Sequence, residues 1–147
     1  MRNLSDDNTE EIGFLLVPEF PVYALILATE ALRVANQNAG RRLFDWHLIS
    51  VDGAAVNAGS GMAINPDLSI AQVPAAPSLS KVIVCSGNHP LQYIDNRLLN
   101  WLRRLDRHGV ALGALDSGTF ALAAARGGNV SVGMATLGSI IFVQSTK

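Results

Sequence analysis

The sequence predicts an α/β fold: a doubly wound, mostly parallel sheet with helices on both faces. Strand-like apolar runs alternate along the chain with helix-length segments, the order that sets parallel strands beside crossover helices. Hydrophobic residues make up 49% of the 147 residues and charged ones only 16%. That balance suits a sheet buried on both faces and leaves room for a hydrophobic subunit interface. One strand-like run, Val110 to Leu115, leads straight into Asp116-Ser117-Gly118 and an alanine- and leucine-rich helical stretch. Such a strand–turn–helix corner is where α/β proteins commonly place a nucleophile or bind a ligand.

The elements follow in order. Residues 1–11 have no apolar residue except Met1 and Leu4 and are expected to form a mobile tail, with one domain over 12–147. Ile12 to Val17, closed by Pro18, reads as a central strand. From Val22 to Asn36, Leu25, Ala28, Leu32 and Ala35 recur at helical spacing, with Pro21 at the start and Asn38 and Gly40 past the end. Phe44 to Val51 is a second strand, stopped by the turn pair Asp52-Gly53. Small residues over 54–65, with Gly59 and Gly61, predict a short hairpin. Pro66 to Ser80, holding Pro74 and Pro77, predicts an irregular crossover with one short helical turn.

Lys81 to Cys85 is a third buried strand, ending in Ser86-Gly87-Asn88-His89-Pro90. Asp95 to Arg107 is an amphipathic helix, with Leu98, Leu99, Leu102 and Leu105 inward and Arg103, Arg104 and Arg107 on a solvated outer face. Beyond Arg126 the pattern weakens: Gly127-Gly128-Asn129 reads as a turn, and Val130 to Leu137 and Ile140 to Val143 as strands. Nothing after Val143 would cover those last apolar residues, which hints at truncation or at burial against a partner. There is no internal repeat and no linker dividing two domains.

Composition excludes several function classes. A formal net charge of −1 with dispersed Lys and Arg argues against nucleic-acid binding by this segment. A single cysteine, Cys85, excludes an internal disulfide framework and a cysteine zinc site. No apolar run approaches the ~18 residues of a membrane span, and the polar, acidic start is unlike a signal peptide. The expected location is the cytoplasm.

In a doubly wound sheet, ligands bind outside the carboxyl ends of the strands. Three such ends carry polar or glycine residues: Pro18-Glu19-Phe20, Cys85 to His89, and Asp116-Ser117-Gly118. Gly87 and Gly118 would let backbone N–H groups approach a ligand, or simply make tight turns. Asp116 is a nucleophile or general base, or else a helix cap, the commoner use of an aspartate there. Ser117 lacks the first glycine of a G-x-S-x-G elbow, because Leu115 stands in that place. Cys85 reads as a small core residue. His47 falls within a strand, His108 near a helix end, and His89 in a site loop. Glu30 faces either the core edge or solvent.

The runs LVPEFPVYALILATEALRVAN, FDWHLISVDG, VIVCSGNHP and LLNWLRRLDRHGVALGALDSGTFALAAA resemble the ThiJ/PfpI superfamily. Most similar are the N-terminal domains of GlxA-type AraC-family regulators, from residue 12 to about 137. The resemblance implies a class I glutamine amidotransferase-like, flavodoxin-like sandwich. Catalytic members carry a cysteine at the elbow, where this chain has Asp116. Ser117 stands where a histidine often follows, and Ala24 where an acidic residue supports the thiol. The resemblance therefore implies a pocket without the chemistry: a domain that senses a small amine or amino-acid-like metabolite and forms a homodimer.

Regulators of this type usually read T-x-H-W-E after the elbow helix, whereas this chain reads Ala135-Thr136-Leu137-Gly138-Ser139-Ile140. The resemblance therefore implies that the rest of the domain and the helix-turn-helix region do not follow in this frame, as expected of a frameshift or a truncated gene. The expected ligand contacts are Ser86, Gly87, Asn88, His89, Asp116, Ser117 and Gly118, with no catalytic residue, metal, cofactor, DNA contact or membrane. The competing expectations are a ThiJ/PfpI-type amidase, hydrolase or lyase using Asp116 or Cys85 with His89, and a decayed regulator fragment.

Overall fold

The structure, a computed structural model, describes residues 8–74, 78–116, 118–125, 132–135 and 140–143; for Asp116, Thr119, Phe120, Ala123 and the last two segments it describes the backbone alone. The chain runs β1 (Glu10–Leu16), α1 (Val22–Ala39), β2 (Phe44–Ser50), β3 (Val56–Asn57), β4 (Ala63–Ile64) and β5 (Leu68–Ser69). A 3-10 turn (Ile70–Gln72) follows, then β6 (Lys81–Ser86), α2 (Pro90–Tyr93), α3 (Asn96–Arg107), β7 (Ala111–Asp116), α4 (Gly118–Ala125), β8 (Val132–Ala135) and β9 (Ile140–Val143). The main sheet has the order β5-β2-β1-β6-β7-β9-β8. The first five of these are parallel, and β9 and β8 continue the sheet antiparallel. β3 and β4 pair separately as the expected hairpin.

Side chains on a strand point alternately to its two faces, so each continuous apolar run fills two cores at once. Ile12, Phe14 and Leu16 of β1 join Ile83 and Cys85 of β6 under α1, packing with Phe20, Ala24 and Leu25. Leu15 faces the other way with Val84 and Ile49, its neighbours in register, against Leu98, Trp101, Leu102 and Leu105 of α3 and Leu122 of α4. The Asp95 carboxylate caps α3 by accepting from the Leu98 N–H at 3.0 Å, a contact typically worth about 1 kcal/mol. The last turn of α3 carries Arg104 and Arg107, and His108 Nδ1 lies 2.8 Å from the Arg104 carbonyl.

Several expectations shift. β1 starts at Glu10, two residues early, because Glu10 and Glu11 pair with Phe44 and Asp45 of β2. α1 runs on to Ala39 and ends at the left-handed Gly40. The crossover contains a two-residue strand, β5, beside β2, and the loop after β6 contains the short helix α2, with Pro90 in its first turn. Asp116 ends β7 in register with Ser86 rather than forming the turn. The solvated arginine face also needs correction. Arg103 donates from Nε to the Ala125 carbonyl at 2.9 Å and from Nη2 to the Ala124 carbonyl at 3.3 Å, so it caps the end of α4. The expectations for residues 1–7, Pro77, Ser117, the 127–129 turn, Leu137 and 144–147 lie outside the described residues.

Glu30 is resolved: it is exposed and pairs with Arg33 at 2.7 Å, and that hydrogen bond holds its carboxyl below the usual range. The outer face of α1 leaves Tyr23, Ile26, Leu27 and Val34 exposed at helical spacing.

Candidate functional site

Two of the three anticipated strand ends meet through backbone geometry. Beyond β1 the chain turns at Pro18-Glu19-Phe20 and is held on both sides. The Val17 N–H donates to the Cys85 carbonyl at 2.9 Å, the Glu19 N–H to the Asn57 carbonyl at 2.8 Å, and the Gly59 N–H to the Phe20 carbonyl at 2.9 Å. Glu19 sits at φ 71° and His89 at φ 56°; among the described residues they are the two non-glycine positions in the left-handed region. Each costs of order 1–3 kcal/mol unless the surroundings enforce it. Their side chains meet, His89 Nδ1 lying 3.0 Å from Glu19 Oε2.

The position of this pair follows from topology. From β1 the chain moves to β2 on one side, and β6 pairs on the other, so the strand order reverses at β1. The crevice outside such a switch point is the usual ligand site of an open α/β sheet. Glu19 follows β1 and His89 follows β6, so the pair bridges it.

A cleft of about 640 Å³ opens beside the pair, over the carboxyl ends of β1 and β2, the β3–β4 hairpin and the start of α3. Its polar lining includes Glu19, Asp52, Asn57, Gln92, Tyr93 and Arg97. Carboxylates can accept from an ammonium group, and a guanidinium can hold a carboxylate through two parallel N–H bonds. Both kinds of group border this one space.

The anticipated residues fall out unevenly. Ser86 is fully buried, and Asn88 and His89 are exposed. Ser86, Gly87, Asn88 and His89 do not line the cleft; His89 reaches its edge only through Glu19. The two glycines have packing reasons of their own. A Cβ on Gly87 would strike the Glu19 carbonyl, and one on Gly118 the Val84 carbonyl. Ser117 and the Asp116 side chain lie outside the described residues. Sequence reasoning missed Asp52, the hairpin wall, Gln92, Tyr93 and Arg97. In the sequence the end of β2 shows only as a turn, and Pro90 is the legible first-turn signal for α2.

Cys85 is fully buried on the α1 side, and burial pushes its thiol well above the ordinary range. A thiol held protonated there is no nucleophile. Ala24 is likewise buried in that core. One group of described residues could hold a metal: Glu11, Asp45 and His47, near the amino ends of β1 and β2. No described helix is long and apolar enough to cross a membrane.

No family model matches the chain. It is 39% identical over 117 residues to the HTH-type transcriptional regulator CdhR of Pseudomonas aeruginosa, covering 80% of this chain and 34% of CdhR. It is 38% identical over 120 residues to the HTH-type transcriptional regulator GlxA of Rhizobium meliloti, covering 80% of this chain and 36% of GlxA. The chain thus spans about a third of the length of these relatives. The crystal structure of an AraC family transcriptional regulator from Pseudomonas putida superposes with a TM-score of 0.70 at 29% identity, over 80% of this chain and 61% of that one. A ThiJ/PfpI family protein from Pseudomonas syringae superposes at 0.65 with 17% identity, over 85% and 52%, a likeness of fold. The chain therefore shares its fold with ThiJ/PfpI proteins and is similar in sequence to part of the HTH-type transcriptional regulators CdhR and GlxA.

Proposed function

We propose that this chain is a non-catalytic, ligand-sensing and dimerising domain of an AraC-type regulator, working in the cytoplasm on a small amine or amino-acid-like metabolite. The observation that carries the reading is the cleft at the switch point, where Glu19 and Asp52 lie on the same space as Arg97. A zwitterion is complementary to that set: its ammonium to the carboxylates, its carboxylate to Arg97. Ser86 to His89, with Asp116 in register beside Ser86, lie outside the cleft lining and would make only secondary contacts with the same ligand. The buried, protonated Cys85 supports binding over covalent chemistry.

The test is calorimetric titration with a panel of amino acids and small amines. At least one should bind saturably at one per chain, with Glu19→Gln and Arg97→Ala each weakening it about tenfold, the loss of one charge-assisted bond. A panel with no binder, or binding indifferent to both variants, would sink the reading.

The dimer expectation rests on the exposed stripe Tyr23, Ile26, Leu27 and Val34 along α1, since contiguous apolar surface usually marks a contact. Sedimentation should give a dimer, and Leu27→Asp should shift it to monomer. A monomeric parent chain would refute that part alone.

A further inference from the structure

At the end of the sheet away from the cleft, two adjacent strands bring three potential metal ligands together. Glu11 on β1 lies opposite Asp45 on β2 in parallel register, and His47 stands two residues further along β2. Paired and alternate positions share a face, so all three project to the same side of the sheet. One ligand atom from each lies within 4.8 Å of the others. His47 Nε2 is 3.6 Å from Glu11 Oε1. That is too long for a hydrogen bond, yet close to the edge of a coordination tetrahedron, about 3.4 Å when zinc–ligand bonds are 2.0–2.2 Å.

Two further features fit. Glu11 is held in place: its carboxylate accepts from Ser78 Oγ. Its carbonyl accepts from the Ser80 N–H at 2.8 Å and from Ser80 Oγ at 3.1 Å. Such outer contacts orient a metal-ligating carboxylate. A cavity of about 180 Å³, lined by Glu11, His47 and Ser78 among others, adjoins the group and leaves room for further coordination.

We propose that Glu11, Asp45 and His47 form a divalent-cation site of zinc type, independent of the ligand cleft, that fastens β1, β2 and the segment before β6 together. The donor set, one imidazole and two carboxylates, suits Zn²⁺.

The test uses the 147-residue chain stripped with chelator and titrated with Zn²⁺. One ion should bind per chain, raising the unfolding temperature as any ligand specific to the folded state does. His47→Ala and Asp45→Asn should each weaken binding tenfold or more, while His89→Asn and His108→Ala leave it unchanged. Circular dichroism checks each variant's fold; should His47→Ala fail to fold, Asp45→Asn and Glu11→Gln carry the same test. No saturable binding, binding unchanged in the His47 and Asp45 variants, or binding lost with His89 or His108 would each overturn the proposal.

Discussion

Each end of the sheet carries a histidine–carboxylate pair, and the two are built on opposite principles. At the carboxyl end, His89 and Glu19 make a 3.0 Å contact with side chains 71% and 38% exposed. Both residues stand on left-handed backbone in loops. At the amino end, His47 and Glu11 are 3.6 Å apart with side chains only 14% and 20% exposed, on regular strands. The first pair is wet, and its geometry comes from the backbone that supports it. The second is drier, and its geometry comes from strand register. Exposure decides the energetics: water and salt screen the first pair, and much less the second.

The largest expected effect tests the scaffolding of the carboxyl end. Gly87→Ala drives a Cβ into the Glu19 carbonyl. Overpacking against backbone should cost about 3 kcal/mol, the upper part of the usual range. The denaturant midpoint reads it, and a variant as stable as the parent would show that Gly87 is not what seats Glu19.

Next comes the amino-end pair. With metal chelated, His47→Asn should cost about 1–2 kcal/mol, as expected when a largely buried side chain is cut back. The smallest effect belongs to His89→Asn, which keeps a residue type tolerant of left-handed backbone and should stay within about 0.5 kcal/mol. Reversal of the last two, with His89 the costlier loss, would break the contrast between the two ends.

How much of this was legible beforehand differs by level. β1, β2, β6, α3 and the β3–β4 hairpin were readable because periodicity and turn residues are local signals. β5 and α2 were not, being too short to show a period; only their pairing and packing define them. In the site, Glu19 and His89 were each placed on a strand end, but not on each other, since they are 70 residues apart. Glu11 reads as part of a tail because nothing in its own neighbourhood says that it pairs with Asp45. The Asp-x-His alternation of β2 was in view, but two ligand types on one strand mean little without the neighbouring strand. Arg103 reads as surface in the sequence because its partners, the last carbonyls of α4, lie 21 and 22 residues on.

The order of strands and helices, the two-sided burial of the sheet and the burial of Cys85 follow from the sequence alone, because alternation and apolar run length are properties of a few successive residues. Tertiary structure alone decided that Gly87 yields to the Glu19 carbonyl, that the cleft draws its wall from β2 and the hairpin, and that Glu11, Asp45 and His47 converge. Each depends on which strand lies beside which and in what register. Parallel pairing joins residues across long crossovers, where no local signal reaches.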